Sequence, residues 1–204
     1  VIAGSPRRAI AWAATAALAC WLTLLLSFTA TRNLDWRSNE ALYVATLREN
    51  PDSIRVQFNL GVAYQDLLNN PAGATRHFEN VVDAYARRKA ADPSLAGQYW
   101  ADELEAYLSL GDIALGLGRY DRAMPPYQTL SGVQANEQNR AILGRAAFGL
   151  GRCYLAIGEY EAALGAFRRA SELVPGLAAE SQNVVRREAP LAAFMASRVA
   201  TPNQ

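Results

Sequence analysis

The sequence is short of the residues from which metal and redox sites are built. Its 204 residues hold one histidine, His77, and two cysteines, Cys20 and Cys153. Two distant thiols and one imidazole cannot supply the usual zinc ligand sets. Cys20 lies in an apolar segment and Cys153 in a repeat, so no disulfide between them is expected. Neither sign of charge dominates: 20 Lys+Arg against 19 Asp+Glu leave a formal net charge of +1. Without a basic field, nucleic acid is not an expected partner. There is no P-loop, no G-x-G-x-x-G after a strand and no N-x-[ST] sequon. His77 stands beside Phe78 in a helical stretch and reads as an exposed helical residue rather than a catalyst. Asp121, Glu159 and Glu161 flank turns, where a carboxylate caps a helix or favours its positive end. The expectation is a chain with no catalytic residue, no metal and no cofactor, and so not itself an enzyme.

What is present is a spaced pattern. From Gly144 to Pro175, Leu150-Gly151 is followed by Tyr154, Gly158, Tyr160, Ala163, Phe167, Ala170 and Pro175. Gly151 and Ala163 are small where two antiparallel helices must approach closely, and Tyr154 and Phe167 fill the space between them. Gly158 ends the first helix, since glycine enters the left-handed cap cheaply. This pattern resembles the tetratricopeptide repeat, whose period is about 34 residues. The same register returns at Leu110-Gly111, Gly118, Tyr120, Ala123 and Tyr127, and at Asn59-Leu60-Gly61, Tyr64, Ala74 and Phe78. Gly61, Gly111 and Gly151 are 50 and 40 residues apart. The excess over the repeat period falls at about 88–103 and 138–143, where long helices or short inserts are expected. Met124-Pro125-Pro126 falls early in a second helix and predicts a late helix start or a bend.

The N-terminal part is different. Residues 9–30 carry no charge and are long enough to span a bilayer as a helix. The run is longer than the apolar part of a signal peptide, and Phe28 stands where a cleavage site before Ala30 would need a small residue. A buried soluble helix is the other alternative. Arginines lie on both sides, but Arg7-Arg8 directly abut the run and favour a cytoplasmic N-terminal side. The repeats are then extracytoplasmic. Trp36 reads as an interfacial anchor or as a staple for the helix that follows, with the anchor favoured. The chain opens on Val1, and a piece of a longer protein is expected.

The fold class expected is all-α: a transmembrane helix followed by a right-handed superhelix of antiparallel helical hairpins. Residues 1–32 hold the transmembrane helix with its flanks, and 33–53 a capping half-repeat whose helix Ser38 caps and Pro51 closes. Residues 54–175 hold three repeats, at about 54–92, 104–137 and 144–175. Residues 176–204 hold a C-terminal capping helix and tail, with Leu177–Val199 helical in pattern and Pro190 bending or dividing it.

A narrower resemblance covers about residues 9–61. An apolar span, then Arg32-Asn33, Trp36, a short helix, Asn50-Pro51, Ser53 and Asn59-Leu60-Gly61 resembles the junction in transmembrane-and-tetratricopeptide O-mannosyltransferases of the GT-C type and their bacterial relatives. The resemblance implies a multi-span catalytic membrane part ahead of an extracytoplasmic or lumenal repeat array. Only one span is present here. The acidic loop residues that would bind a lipid-linked sugar donor belong to the missing portion, so no donor-site residue carries over. The alternative is a single-pass repeat scaffold or assembly factor with no enzymatic domain.

The function left to the chain is binding of a protein or peptide, with the membrane held through residues 9–30. In the repeat register the first helix of each hairpin turns four positions to the concave face. They are Arg55, Phe58, Val62 and Gln65; Glu105, Leu108, Asp112 and Leu115; and Arg145, Phe148, Arg152 and Leu155. The candidate ligand contacts are Arg55, Phe58, Gln65, Leu108, Asp112, Arg145, Phe148 and Arg152. The set does not resemble the carboxylate-clamp repeats, which need lysine and asparagine at several of these places. Arg145 and Arg152 share one face of a helix and make the third repeat basic, so an acidic ligand is expected. Asp112 is expected to pair with one of them and leave the other free. The alternative is that these side chains pack against neighbouring helices or the cap.

Overall fold

The structure, a computed structural model, describes residues 6–187. The described residues form nine α-helices and one short 3-10 turn, with no strand among them. The chain divides into two compact units, Val1–Pro51 and Asp52–Gln204.

The first unit holds α1 (Pro6–Asp35) and α2 (Asn39–Glu49). Ile10–Asp35 is long and apolar enough to cross a membrane, and 0% of its most apolar window is buried. Most of its hydroxyls bond back into the helix. Thr15 donates to the Ala11 carbonyl (2.9 Å), Thr23 to Ala19 (2.8 Å) and Ser27 to Thr23 (2.8 Å). These three hydroxyl protons are thus placed without water. Ser38 caps α2, its Oγ accepting the Ala41 N–H at 3.1 Å. Arg32 joins the two helices through Glu49 (2.7 Å), with Asp35 at 3.8 Å. All three side chains are partly exposed, so the pair contributes about 0–1 kcal/mol. Trp36 stands exposed at the corner between the helices.

The second unit stacks three hairpins. They are α3 (Ile54–Asp66) with α4 (Pro71–Ala91), α5 (Ala101–Gly116) with α6 (Tyr120–Ser131), and α7 (Arg140–Ala156) with α8 (Tyr160–Leu173). A last helix, α9 (Leu177–Arg187), packs on α8 and α7. The first helices pack on one another, α3 on α5 and α5 on α7, and form one layer. Each hairpin closes on a bare glycine backbone against an aromatic ring. A Cβ at Gly61 would stand 2.6 Å from Phe78, and one at Gly151 would stand 2.7 Å from Phe167. Gly111 meets Tyr127 in the same way. Facing them, Ala74, Ala123 and Ala163 are fully buried. The turns after α5 and α7 place Gly118 (φ 68°) and Gly158 (φ 82°) in the left-handed region. The turn after α3 is one residue longer, and Asn69 (φ 46°) takes that conformation instead, as asparagine tolerates.

Both inserts are built segments. α4 runs on to Ala91, and Asp92 Oδ1 accepts the Ser94 N–H (3.0 Å) and hydroxyl (2.6 Å) to start the turn Pro93–Leu95. The rest is clamped by aromatic and charged groups. Tyr85 stacks on Trp100 (4.8 Å) and its hydroxyl donates to Asp102 (2.6 Å). Lys89, the only lysine of the chain, reaches Glu103 at 2.7 Å and lies 4.0 Å over the Tyr99 ring. Arg88 lies 5.2 Å over Trp100. In the second insert Asn139 accepts the Asn136 N–H (2.8 Å) and Asn136 accepts the Asn139 N–H (2.9 Å).

One expectation needs correction, that for His77, and two are narrowed. α6 does not start late: it begins at Tyr120, with Pro125 and Pro126 inside it. Ala123 and Tyr127, both fully buried, pin it on either side of the prolines. The Asp121 and Arg122 carbonyls that lose a helical donor belong to exposed residues, where water reaches them. His77 is not exposed: it is 6% accessible, its Nδ1–H donates to Gln57 Oε1 (2.7 Å), and its ring stacks on Tyr64 at 5.3 Å. Glu159 stands at the N-cap of α8 without a side-chain cap bond. The expected run of the last helix beyond Arg187, with Pro190, Leu191, Phe194 and Met195, lies outside the described residues.

Candidate functional site

The eight candidate contacts do not form one surface. Leu108 is 1% exposed and belongs to the core, so a ligand on the surface cannot reach it. The i, i+3, i+4 stripe that faces the concave side in the register also faces α7 once the helices stack. Phe58 is half-buried and meets Phe78 edge-on at 5.9 Å, inside the first hairpin. Arg55 is exposed at the start of α3. Gln65 and Asp112 line a depression of about 310 Å³ between α3 and α5. The Gln65 Oε1 is buried there without a hydrogen-bond partner.

Phe148 and Arg152 are elsewhere, in a pocket of about 430 Å³ that also takes in Leu115 and Leu155. Its far wall comes from α9, through Glu180, Val184 and Arg187. The Phe148 ring tilts against Phe167 at 5.5 Å, so the hairpin contact that makes the fold also fixes the pocket floor. α9 had no repeat signature in the sequence, and its part in the pocket was not legible there.

Charge at this face is set by one network. Arg145 Nη2 donates to Asp112 Oδ2 at 3.0 Å, and the Tyr127 hydroxyl donates to Asp112 Oδ1 at 2.6 Å. Burial first, then the Asp112 charge, pushes the Tyr127 phenol well above its ordinary value. The phenol therefore stays a donor. Asp112 pairs with Arg145, across the junction of the second and third hairpins, and not with Arg152. Among the described residues no carboxylate lies within ion-pair distance of Arg152. Beside it on α7, Cys153 points into the core, and burial raises its thiol to about 11, which leaves it unreactive at neutral pH.

Among the described residues no group of His, Cys, Asp and Glu could hold a metal ion. The arrangement offers a rigid apolar floor and rim charges, which is binding chemistry.

Two tetratricopeptide repeat models match the chain, one over residues 104–131 and the other over residues 146–178. No curated protein and no solved structure matches it. Repeats of this kind bind protein or peptide partners and are typically non-catalytic. The hairpins α5–α6 and α7–α8, with the small residues and rings described above, are tetratricopeptide repeats.

Proposed function

We propose that the chain is a membrane-anchored protein-interaction module: α1 crosses the bilayer, and the face carried by α5, α7 and α9 binds an extracytoplasmic protein. The observation that carries this is the pocket of about 430 Å³, lined from α5, α6, α7 and α9, with Phe148 partly exposed on its floor. The first hairpin counts as a third repeat. Support for the anchor is the uncharged, unburied apolar length of α1 and its internally bonded hydroxyls. A signal sequence near an N-terminus passes the same test of length and composition.

The module belongs, in this proposal, at the end of a polytopic glycosyltransferase-like protein. The support is the sequence of the junction, from Arg32-Asn33 through Trp36 to Asn59-Leu60-Gly61. Several apolar spans encoded upstream of Val1 are expected. A start codon there with no span ahead of it makes the chain a single-pass scaffold instead.

The test is site-specific photo-cross-linking of the membrane-bound chain in cells. A cross-linker at Leu155, in the pocket, is expected to give discrete adducts, and one at Gln128, exposed on α6, none. Equal labelling from both positions rules the face out. Release of the chain from membranes by carbonate at high pH rules out the anchor.

A further inference from the structure

The pocket at the end of the array has a ligand preference written in its rim, and the argument rests on the binding role proposed above. Arg145 and Asp112 are paired with one another. Asp112 is also held by Tyr127. Arg152 and Arg187 are not so paired. Both are exposed, both line the pocket, and neither has an ion-pair partner among the described residues. Glu180 is the one carboxylate on the wall. Between the charges lie Leu115, Phe148, Leu155 and Val184.

We propose that this pocket takes an acidic peptide segment, burying one large apolar side chain on Phe148 and setting flanking carboxylates on Arg152 and Arg187. Size fits this. A space of about 430 Å³ lies in the range of small-ligand pockets and holds a leucine or phenylalanine side chain with neighbouring backbone. Charge fits it as well. Two guanidinium groups with unused forked donors match carboxylates, and they repel a basic segment. The apolar floor supplies most of the affinity, and the rim selects the sign of the ligand. The helix α9 is thus a wall of the site, as well as a cap on the last repeat.

The test is fluorescence anisotropy on the full chain in lipid nanodiscs. The probe is a labelled octapeptide with a central leucine–phenylalanine pair flanked by glutamates. One control peptide carries lysines in place of the glutamates, and another carries alanines in place of the central pair. The acidic apolar probe is expected to bind and both controls to fail. Arg152→Glu and Arg187→Glu are each expected to weaken binding about fivefold or more, with an unchanged unfolding midpoint, since both side chains are exposed. Arg145→Gln is expected to leave binding within about twofold, its charge being spent on Asp112. Equal binding of the acidic and basic peptides overturns the proposal, as does binding untouched by both charge reversals. Failure of the acidic probe while the cross-linker at Leu155 still gives adducts overturns the ligand class alone. Failure of both overturns the binding face itself.

Discussion

Gly149 on α7 turns a bare backbone to the edge of the Tyr127 ring on α6, where any side chain would overlap the ring. The same ring meets Gly111 of its own hairpin on another edge. Tyr127 is fully buried, and its hydroxyl ends on Asp112. One side chain therefore sets the spacing within a hairpin and between hairpins. Gly149→Ala is expected to destabilise the chain by about 1–3 kcal/mol, because a rigid ring and not a flexible tail must give way. Gly165, inside α8, has nothing within 4 Å of where a Cβ would stand. There the same substitution is expected to stabilise by about 0.5–1 kcal/mol through the helix preference of alanine. Urea midpoints of the detergent-solubilised chain read both changes. Shifts of the same sign would show that the contact does not govern the spacing.

The junction of the first and second hairpins rests on a buried ion pair. Glu103 is 2% exposed, and Lys89 reaches it at 2.7 Å from a largely covered position. Glu103→Ala leaves an ammonium group without its counter-charge and is expected to cost about 3–5 kcal/mol. Replacing both partners together, as Lys89→Met with Glu103→Leu, is expected to cost much less, since no charge is stranded. Thermal unfolding followed by circular dichroism distinguishes the two variants. A double variant as unstable as Glu103→Ala alone would move the cause from charge to packing around Tyr99 and Trp100.

His77 gives the first hairpin a pH dependence. Burial, and then the neighbouring Arg76 charge, hold its imidazole below the ordinary value of 6.5. The native state therefore binds fewer protons than the unfolded chain at pH values below about 6.5. Its contribution to stability is fully present above that pH and is lost as pH falls through the lowered native value. Between pH 7 and pH 5 the parent chain is expected to lose more of its urea midpoint than His77→Gln. Identical losses in the two would exclude His77 as the source.

How much of this was legible follows from how local each cause is. The close approach of two helices leaves room for glycine or alanine on one side and calls for a ring on the other. Gly61, Gly111 and Gly151 with Phe78, Tyr127 and Phe167 thus carry the hairpins in residue type and spacing. The Ser38 cap and the uncharged run 9–30 within α1 rest on neighbours a few positions away, and they were readable for the same reason. The burial of Leu108 and His77 was not. A residue on a helix stripe does not say which of two packed neighbours it faces, and that depends on helices brought together from far along the chain. Nor could the sequence choose between Arg145 and Arg152 as the partner of Asp112, since both lie on one face of α7 and only the stacking of α7 on α5 puts one within reach. The clamp around Trp100 and the α9 wall of the pocket are of this kind too. The sequence by itself determined the repeats and the apolar helix, through local sterics and hydrophobicity. Only the tertiary structure decided which charges are used up inside the fold and which remain for a ligand, because that is a matter of ångström distances between separate helices.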